Sequence, residues 1–150
     1  RVYAANASIS TSDQRMKKEI STLSEKYEQL FELLDPVTYR WKGEGHDRIH
    51  TGFIAQDVKK AMDEVGLDAT EFAAFCYDDF KDDPEWTKEN TDGMTDRYSL
   101  AYEEFISLNT HMIQKTRQEV KYLQTTLSDA VNTIKDLKQK IENLEKGESK

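Results

Sequence analysis

Residues 102–146 read YEEFISLNTHMIQKTRQEVKYLQTTLSDAVNTIKDLKQKIENLEK, and their periodicity decides the fold. Ile106, Ile113, Val120, Leu127, Ile134 and Ile141 recur every seven residues, and Asn109, Thr116, Leu123, Ala130, Leu137 and Leu144 follow each by three. These are the a and d positions of a heptad, which form one apolar seam on a helix. A strict seven-residue period implies a left-handed supercoil with other helices. No Pro or Gly interrupts it before Gly147. Ile at a with Leu at d favours two strands. The mixed d layer, with apolar Met112 at g and Val131 at e, widens the face toward three. The heptads by themselves leave dimer and trimer open.

Working upstream, residues 68–97 crowd Asp78, Asp79, Asp82, Asp83, Glu85, Glu89, Asp92 and Asp96 among Phe75, Tyr77, Phe80 and Trp86. This reads as an exposed acidic excursion with short strands around 74–80 and 94–98. Before it, Gln56–Val65 has the spacing of a short helix with Val58, Ala61, Met62 and Val65 inward and Gly66 as its stop. Val37–Lys42 alternates, Gly43 and Gly45 turn the chain, and Ile49–Ala55 supplies a second strand of a hairpin. From Asp13 to Leu34, Met16, Ile20, Leu23, Tyr27, Leu30, Phe31 and Leu34 make a helical stripe that Asp35-Pro36 ends. Tyr39, Trp41, Phe53, Ile54 and Val58 are expected to pack on Leu23, Leu30 and Phe31. The fold class is α+β, predominantly α, with a small helix and β-hairpin head (13–101) leading into a coiled-coil helix (102–146). Residues 1–12 read as the end of an upstream element.

The 150 residues carry a net charge of −8. That balance argues against a nucleic-acid surface and against an anionic membrane. A mean hydropathy of −0.82 is low for a compact monomer, so the apolar stripe is expected to be buried against other chains. Cys76 is the one cysteine, which excludes an intrachain disulfide and disfavours a cysteine-rich metal site. His46, Asp47 and His50 have a spacing that could hold a metal, but no fourth ligand lies nearby in sequence. The acidic run lacks the alternating oxygen ligands of an EF-hand. His111, at f, is expected to be solvated. No cofactor and no metal are called for.

The chemistry lies at the other end. Ser12 precedes Lys17 by five residues. A serine attacks an acyl carbon once something takes its proton. Lysine can do so when neutral, which requires its pKa to fall from roughly 10.4, and burial has that effect. On a continuous helix the two fall on different faces. They meet only if Ser12 lies ahead of the first turn with the chain bent back over it. Ser12 is equally a preferred helix cap, with Asp13 favouring the positive helix end and Lys17 solvated. The carboxylate of Asp13 works against a neutral lysine unless it points away or is outweighed by burial.

Three segments carry a resemblance: SDQRMKKEI (12–20), DPVTYRWK (35–42) followed by HTGFIAQDVKKAM (50–62), and a tyrosine leading into the heptads. Together they resemble the intramolecular chaperone domain of phage tailspikes and tail fibres, the endosialidase type, and the similar self-cleaving domain of myelin regulatory factor. The resemblance implies a homotrimer built on the coiled coil of Ile106, Ile113, Val120, Leu123, Leu127, Ile134, Leu137, Ile141 and Leu144. It implies a domain that helps an upstream stalk of the same polypeptide fold, then cuts itself off. By that pattern Ser12 is the nucleophile, Lys17 its base, and Ser12–Asp13 the bond cut. The setting would be host cytoplasm during phage assembly, with the stalk going to the virion and the domain released. The competing readings are a non-catalytic trimerisation module and a receptor-binding fibre tip.

Overall fold

The computed structural model describes residues 12–42, 47–80 and 94–148. The stripe expected as one helix from Asp13 splits in two. A 3-10 turn covers Gln14–Met16, and helix α1 covers Glu25–Leu33. Between them Lys17 is extended and Glu19 is left-handed, with φ 55°. Met16 and Ile20 are exposed, so no packing among the described residues rewards a helix there. α1 begins where packing begins. Ser24 takes the N-cap backbone conformation, and Glu25 and Glu28 sit at the positive end of the helix. Its inner residue is Leu30, with Leu23, Tyr27, Phe31 and Leu34 partly buried around it.

After Asp35-Pro36 come strands β1 (Val37–Tyr39) and β2 (His50–Gly52), paired antiparallel with Val37 opposite Gly52 and Tyr39 opposite His50. This is the expected hairpin, shorter than its alternation suggested. Helix α2 (Ala55–Val65) buries Val58, Ala61 and Met62. Gly66 ends it at φ 69°, ψ 37°, a conformation that glycine adopts without strain, and Leu67 N–H closes back on Met62 O at 2.9 Å. A second antiparallel hairpin joins β3 (Phe75–Asp79) and β4 (Asp96–Leu100). Helix α3 runs from Glu104 to Glu148, 45 residues, or roughly 65–70 Å at the α-helical rise.

The core lies where α1 meets α2 and α3, closed by the base of the second hairpin. Leu30, Val58, Ala61, Met62, Leu67, Phe72, Ala74, Phe75, Phe105, Leu108 and Met112 are its buried members. Phe105 is central, stacking on Phe53 (5.1 Å) and meeting Phe72 edge-on (5.4 Å).

Several expectations change here. Phe72, Ala74, Phe75 and Phe80 lie inside the segment 68–97 read as exposed, yet they are buried. The acidic residues hid an apolar base. Trp41 is 59% exposed and packs edge-on against Tyr39 instead of entering the core. Ile54, at the N-cap of α2, is also exposed. Met112 does not widen the heptad seam, because it faces the head with Phe105 and Leu108. His111 is not free in solvent: its Nε2 lies 3.0 Å from Glu28 Oε1 on α1. The same carboxylate bonds Lys115, so one residue of α1 grips two successive turns of α3.

Beyond Lys115 α3 leaves the head, and residues 116–147 are exposed. The a and d residues Val120, Leu123, Leu127, Ile134, Leu137, Ile141 and Leu144 are all open, as are Ile106 and Ile113 nearer the head. No described helix is long and apolar enough to cross a membrane.

Candidate active site at Ser12 and Lys17

The 3-10 turn brings together what five residues of α-helix would separate. Asp13, not Ser12, takes the cap position. It is extended (φ −71°, ψ 128°), and its Oδ1 accepts the Arg15 backbone N–H at 2.9 Å. Met16 N–H closes on Asp13 O and Lys17 N–H on Gln14 O, both at 3.0 Å. Lys17 then returns to extended backbone (φ −113°, ψ 147°). Its chain folds back over the turn, and Nζ reaches Ser12 Oγ at 2.8 Å. Ser12 is therefore ahead of the first turn with the chain bent back over it, the geometry that a Ser–Lys contact requires.

The Asp13 carboxylate is engaged by Arg15 and not by Lys17. Arg15 Nε donates to its two carboxylate oxygens at 3.0 and 3.1 Å, and Arg15 Nη2 donates to Oδ2 at 2.6 Å. The guanidinium and the capping N–H hold the Asp13 carboxyl below the usual carboxylate range. Among the described residues Lys17 forms no ion pair, although Asp13 is four residues away in sequence. Sequence reasoning missed Arg15. The signal was there as Asp-x-Arg, since a capping aspartate has its free oxygens within reach of the side chain two residues on.

Ser12 and Lys17 are both exposed in the single chain. The segment that carries them reaches the head only at Leu23 and Ser24. Of the other motif residues, Val58, Ala61 and Met62 are buried in the head, whereas Trp41 and Ile54 are exposed. Tyr102, just before α3, hydrogen-bonds through its hydroxyl to Phe53 N–H (3.0 Å) and covers Gly52. That contact ties the Gly-Phe of the second motif to the tyrosine that opens the third. Among the described residues no group of His, Cys, Asp and Glu is placed to hold a metal. His46, residues 1–11 and the acidic stretch 81–93 lie outside the described residues.

Residues 12–67 match the family model described as chaperone of endosialidase. That segment is similar to this family. The match begins at the serine of the Ser12–Lys17 contact and ends at the residue that closes the α2 cap. The tail spike protein of Escherichia virus K5 is 29% identical over 79% of this chain and 20% of its own length. The side tail fiber protein pb1 of Escherichia phage T5 is 29% identical over 52% of this chain and 6% of its own. The chain thus spans a fifth or less of these relatives. Among solved structures, one described as a novel intramolecular chaperone is 25% identical, with a TM-score of 0.56 over 72% of this chain and 99% of that one. The carboxy-terminal domain of the bacteriophage T5 L-shaped tail fibre, with its intramolecular chaperone domain, is also 25% identical. It has a TM-score of 0.52 over 85% of this chain and 34% of that one.

Proposed function

We propose that this chain is the intramolecular chaperone of a phage tailspike or tail fibre, and that it trimerises through α3, assists folding of a stalk upstream of it, and releases itself by autoproteolysis at Ser12. The observation that carries the reading is the 2.8 Å contact from Lys17 Nζ to Ser12 Oγ, at the first residue of the family match. The same contact with the proton reversed is a base addressing a nucleophile. Neutral Lys17 takes the Ser12 proton as Oγ bonds to a peptide carbonyl carbon. The C–N bond breaks, the amine leaves with that proton, and water hydrolyses the ester.

The family pattern puts the cut at Ser12–Asp13. Attack by Oγ on its own carbonyl closes a four-membered ring, whereas attack on the preceding carbonyl closes a five-membered one and splits Thr11–Ser12. The two products differ in mass by one serine.

The exposed seam of α3 supports association. A long helix with an apolar stripe gains little from propensity alone and is stabilised when partners cover the stripe. Pairing β-strands between chains is slow, because entropy is lost before contacts form. A coiled coil made of local contacts holds the stalks at high effective concentration. A lysine base needs desolvation, and Lys17 is exposed in one chain. Packing against neighbouring copies would supply that burial, so that cutting follows assembly. Removal of the folding aid then leaves a kinetically stable stalk. Assembly in the host, with the stalk passing to the virion and the domain released, belongs to the same proposal.

The test is a stalk-fused chain run on a denaturing gel. Native protein should yield two fragments. Ser12→Ala should stay uncut yet form the same oligomer. Cutting by Ser12→Ala would leave α3 as a trimerisation module with no serine chemistry.

A further inference from the structure

Arg15 lies between Ser12 and Lys17 in sequence, and its side-chain hydrogen bonds go to Asp13. We propose that Arg15 is a positioning residue for self-cutting, acting through Asp13: its guanidinium holds the Asp13 carboxylate away from Lys17 so that the lysine can lose its proton. This rests on the reading of Lys17 as the base.

The argument is geometric. Asp13 is adjacent to Ser12 and lies four residues before Lys17, while Glu19, two residues after it, pairs with Lys18. Left free, Asp13 would pair with the Lys17 ammonium and favour the charged form, which cannot accept a proton. Instead its carboxylate takes three side-chain bonds from Arg15 and one from the Arg15 backbone. Such a two-pronged guanidinium–carboxylate pair fixes direction as well as distance. The cap makes it possible, because the Asp13 carboxylate that accepts the Arg15 backbone N–H already lies within reach of the Arg15 side chain. Arg15 is 88% exposed, so its conformation is set by Asp13 and not by packing.

The remaining charges near Lys17 belong to the same segment. Lys18 pairs with Glu19 at 3.9 Å, which leaves Glu19 turned toward Lys18. The left-handed backbone at Glu19 carries the chain out of the turn. Among the described residues, no other element contributes an ion pair or a hydrogen bond to Lys17. Within one chain the charged partners that bear on the base therefore lie inside residues 12–19, and Arg15 decides on which side Asp13 counts.

The experiment is self-cutting by the full chain, followed by intact mass between about pH 6 and about pH 10, a range chosen because catalytic lysines are lowered by burial from the usual value. Arg15→Gln keeps the backbone N–H that bonds Asp13 and removes the clamp. Its half-maximal pH should move alkaline by roughly half to one unit, and cutting near neutrality should slow roughly three- to tenfold. The double variant Asp13→Asn with Arg15→Gln has no carboxylate left to restrain, so its half-maximal pH should return to the native value whatever its absolute rate. An unshifted Arg15→Gln profile would overturn the inference, and so would a double variant whose half-maximal pH stays as alkaline as that of the single one. Lys17→Arg separates the two levels. If it still cuts, the reading of Lys17 as base fails and this inference with it. If it is inert while Arg15→Gln keeps the native profile, the base stands and Arg15 is a bystander.

Discussion

Tyr102 stands directly over Gly52: a Cβ added at Gly52 would lie 2.3 Å from the Tyr102 hydroxyl. That closeness lets the hydroxyl accept the Phe53 N–H at 3.0 Å and fixes the start of α3 against the first hairpin. Gly52→Ala should push Tyr102 aside and lower stability by about 1–3 kcal/mol, as other enlargements in packed sites do. Tyr102→Phe removes the acceptor alone and should lower stability by about 1 kcal/mol. Thermal melts of both variants check this, and a larger loss in Tyr102→Phe than in Gly52→Ala would contradict it.

The core placement is checked by two substitutions. Met62 is fully buried, so Met62→Ala should lower stability by about 2–5 kcal/mol. Trp41 is mostly exposed, so Trp41→Ala should change it by about 0.5 kcal/mol or less. Urea denaturation at one protein concentration reads both. Equal losses would mean that Trp41 is buried by a partner chain.

The grip of α1 on α3 is sensitive to acid. Lys115 first, and His111 with it, hold the Glu28 carboxyl below its usual value of 4.5. A carboxylate with a depressed folded-state pKa adds stability that is present above the unfolded pKa and lost as pH falls through the folded one. The stability gap between native protein and Glu28→Gln should therefore be full at neutral pH and close as the pH drops below that usual value. The opposite limb belongs to Lys115, whose pKa is raised above 10.5, chiefly by its bond to Glu28. Its contribution should persist at neutral pH and fade as pH rises through the raised value. A gap between native and Glu28→Gln that stayed constant into acid would contradict the ion pair.

Much of this was legible in the sequence, and what was not has physical causes. The heptads, the Gly66 stop and the first hairpin rest on local rules, and α3, α2 and β1–β2 lie where those rules put them. The stripe from Met16 to Leu34 misled because spacing records which face a helix would show, not whether anything covers it. Nothing among the described residues covers Met16 or Ile20, and the helix starts only at Glu25. Trp41 misled for the same reason. The core residues Phe72, Ala74 and Phe75 were masked by the acidic residues that follow them. At the site, Ser12 and Lys17 were readable as a pair, with their meeting conditional on a bend. The bend depends on Asp13 capping a 3-10 turn, and the Asp13–Arg15 clamp appears only once that turn exists.

The open seam of α3 makes a statement about mass. Sedimentation equilibrium should give about three times the 17.4 kDa chain. Leu127→Asp, at an a position far from the head, should shift the protein toward monomer while the head stays folded. A stable monomer of the native chain at micromolar concentration would contradict the assignment of the seam.

The central claim is that Lys17 is the base for Ser12. The most direct measurement is the intact mass of the purified native chain and of Lys17→Arg, taken before and after long incubation at the same concentration and pH. Arginine keeps its proton and cannot serve as a base. The native chain should lose its residues up to Ser12 or Thr11, and Lys17→Arg should keep its full mass. Loss of the same fragment from both proteins, at similar rates, would contradict the account.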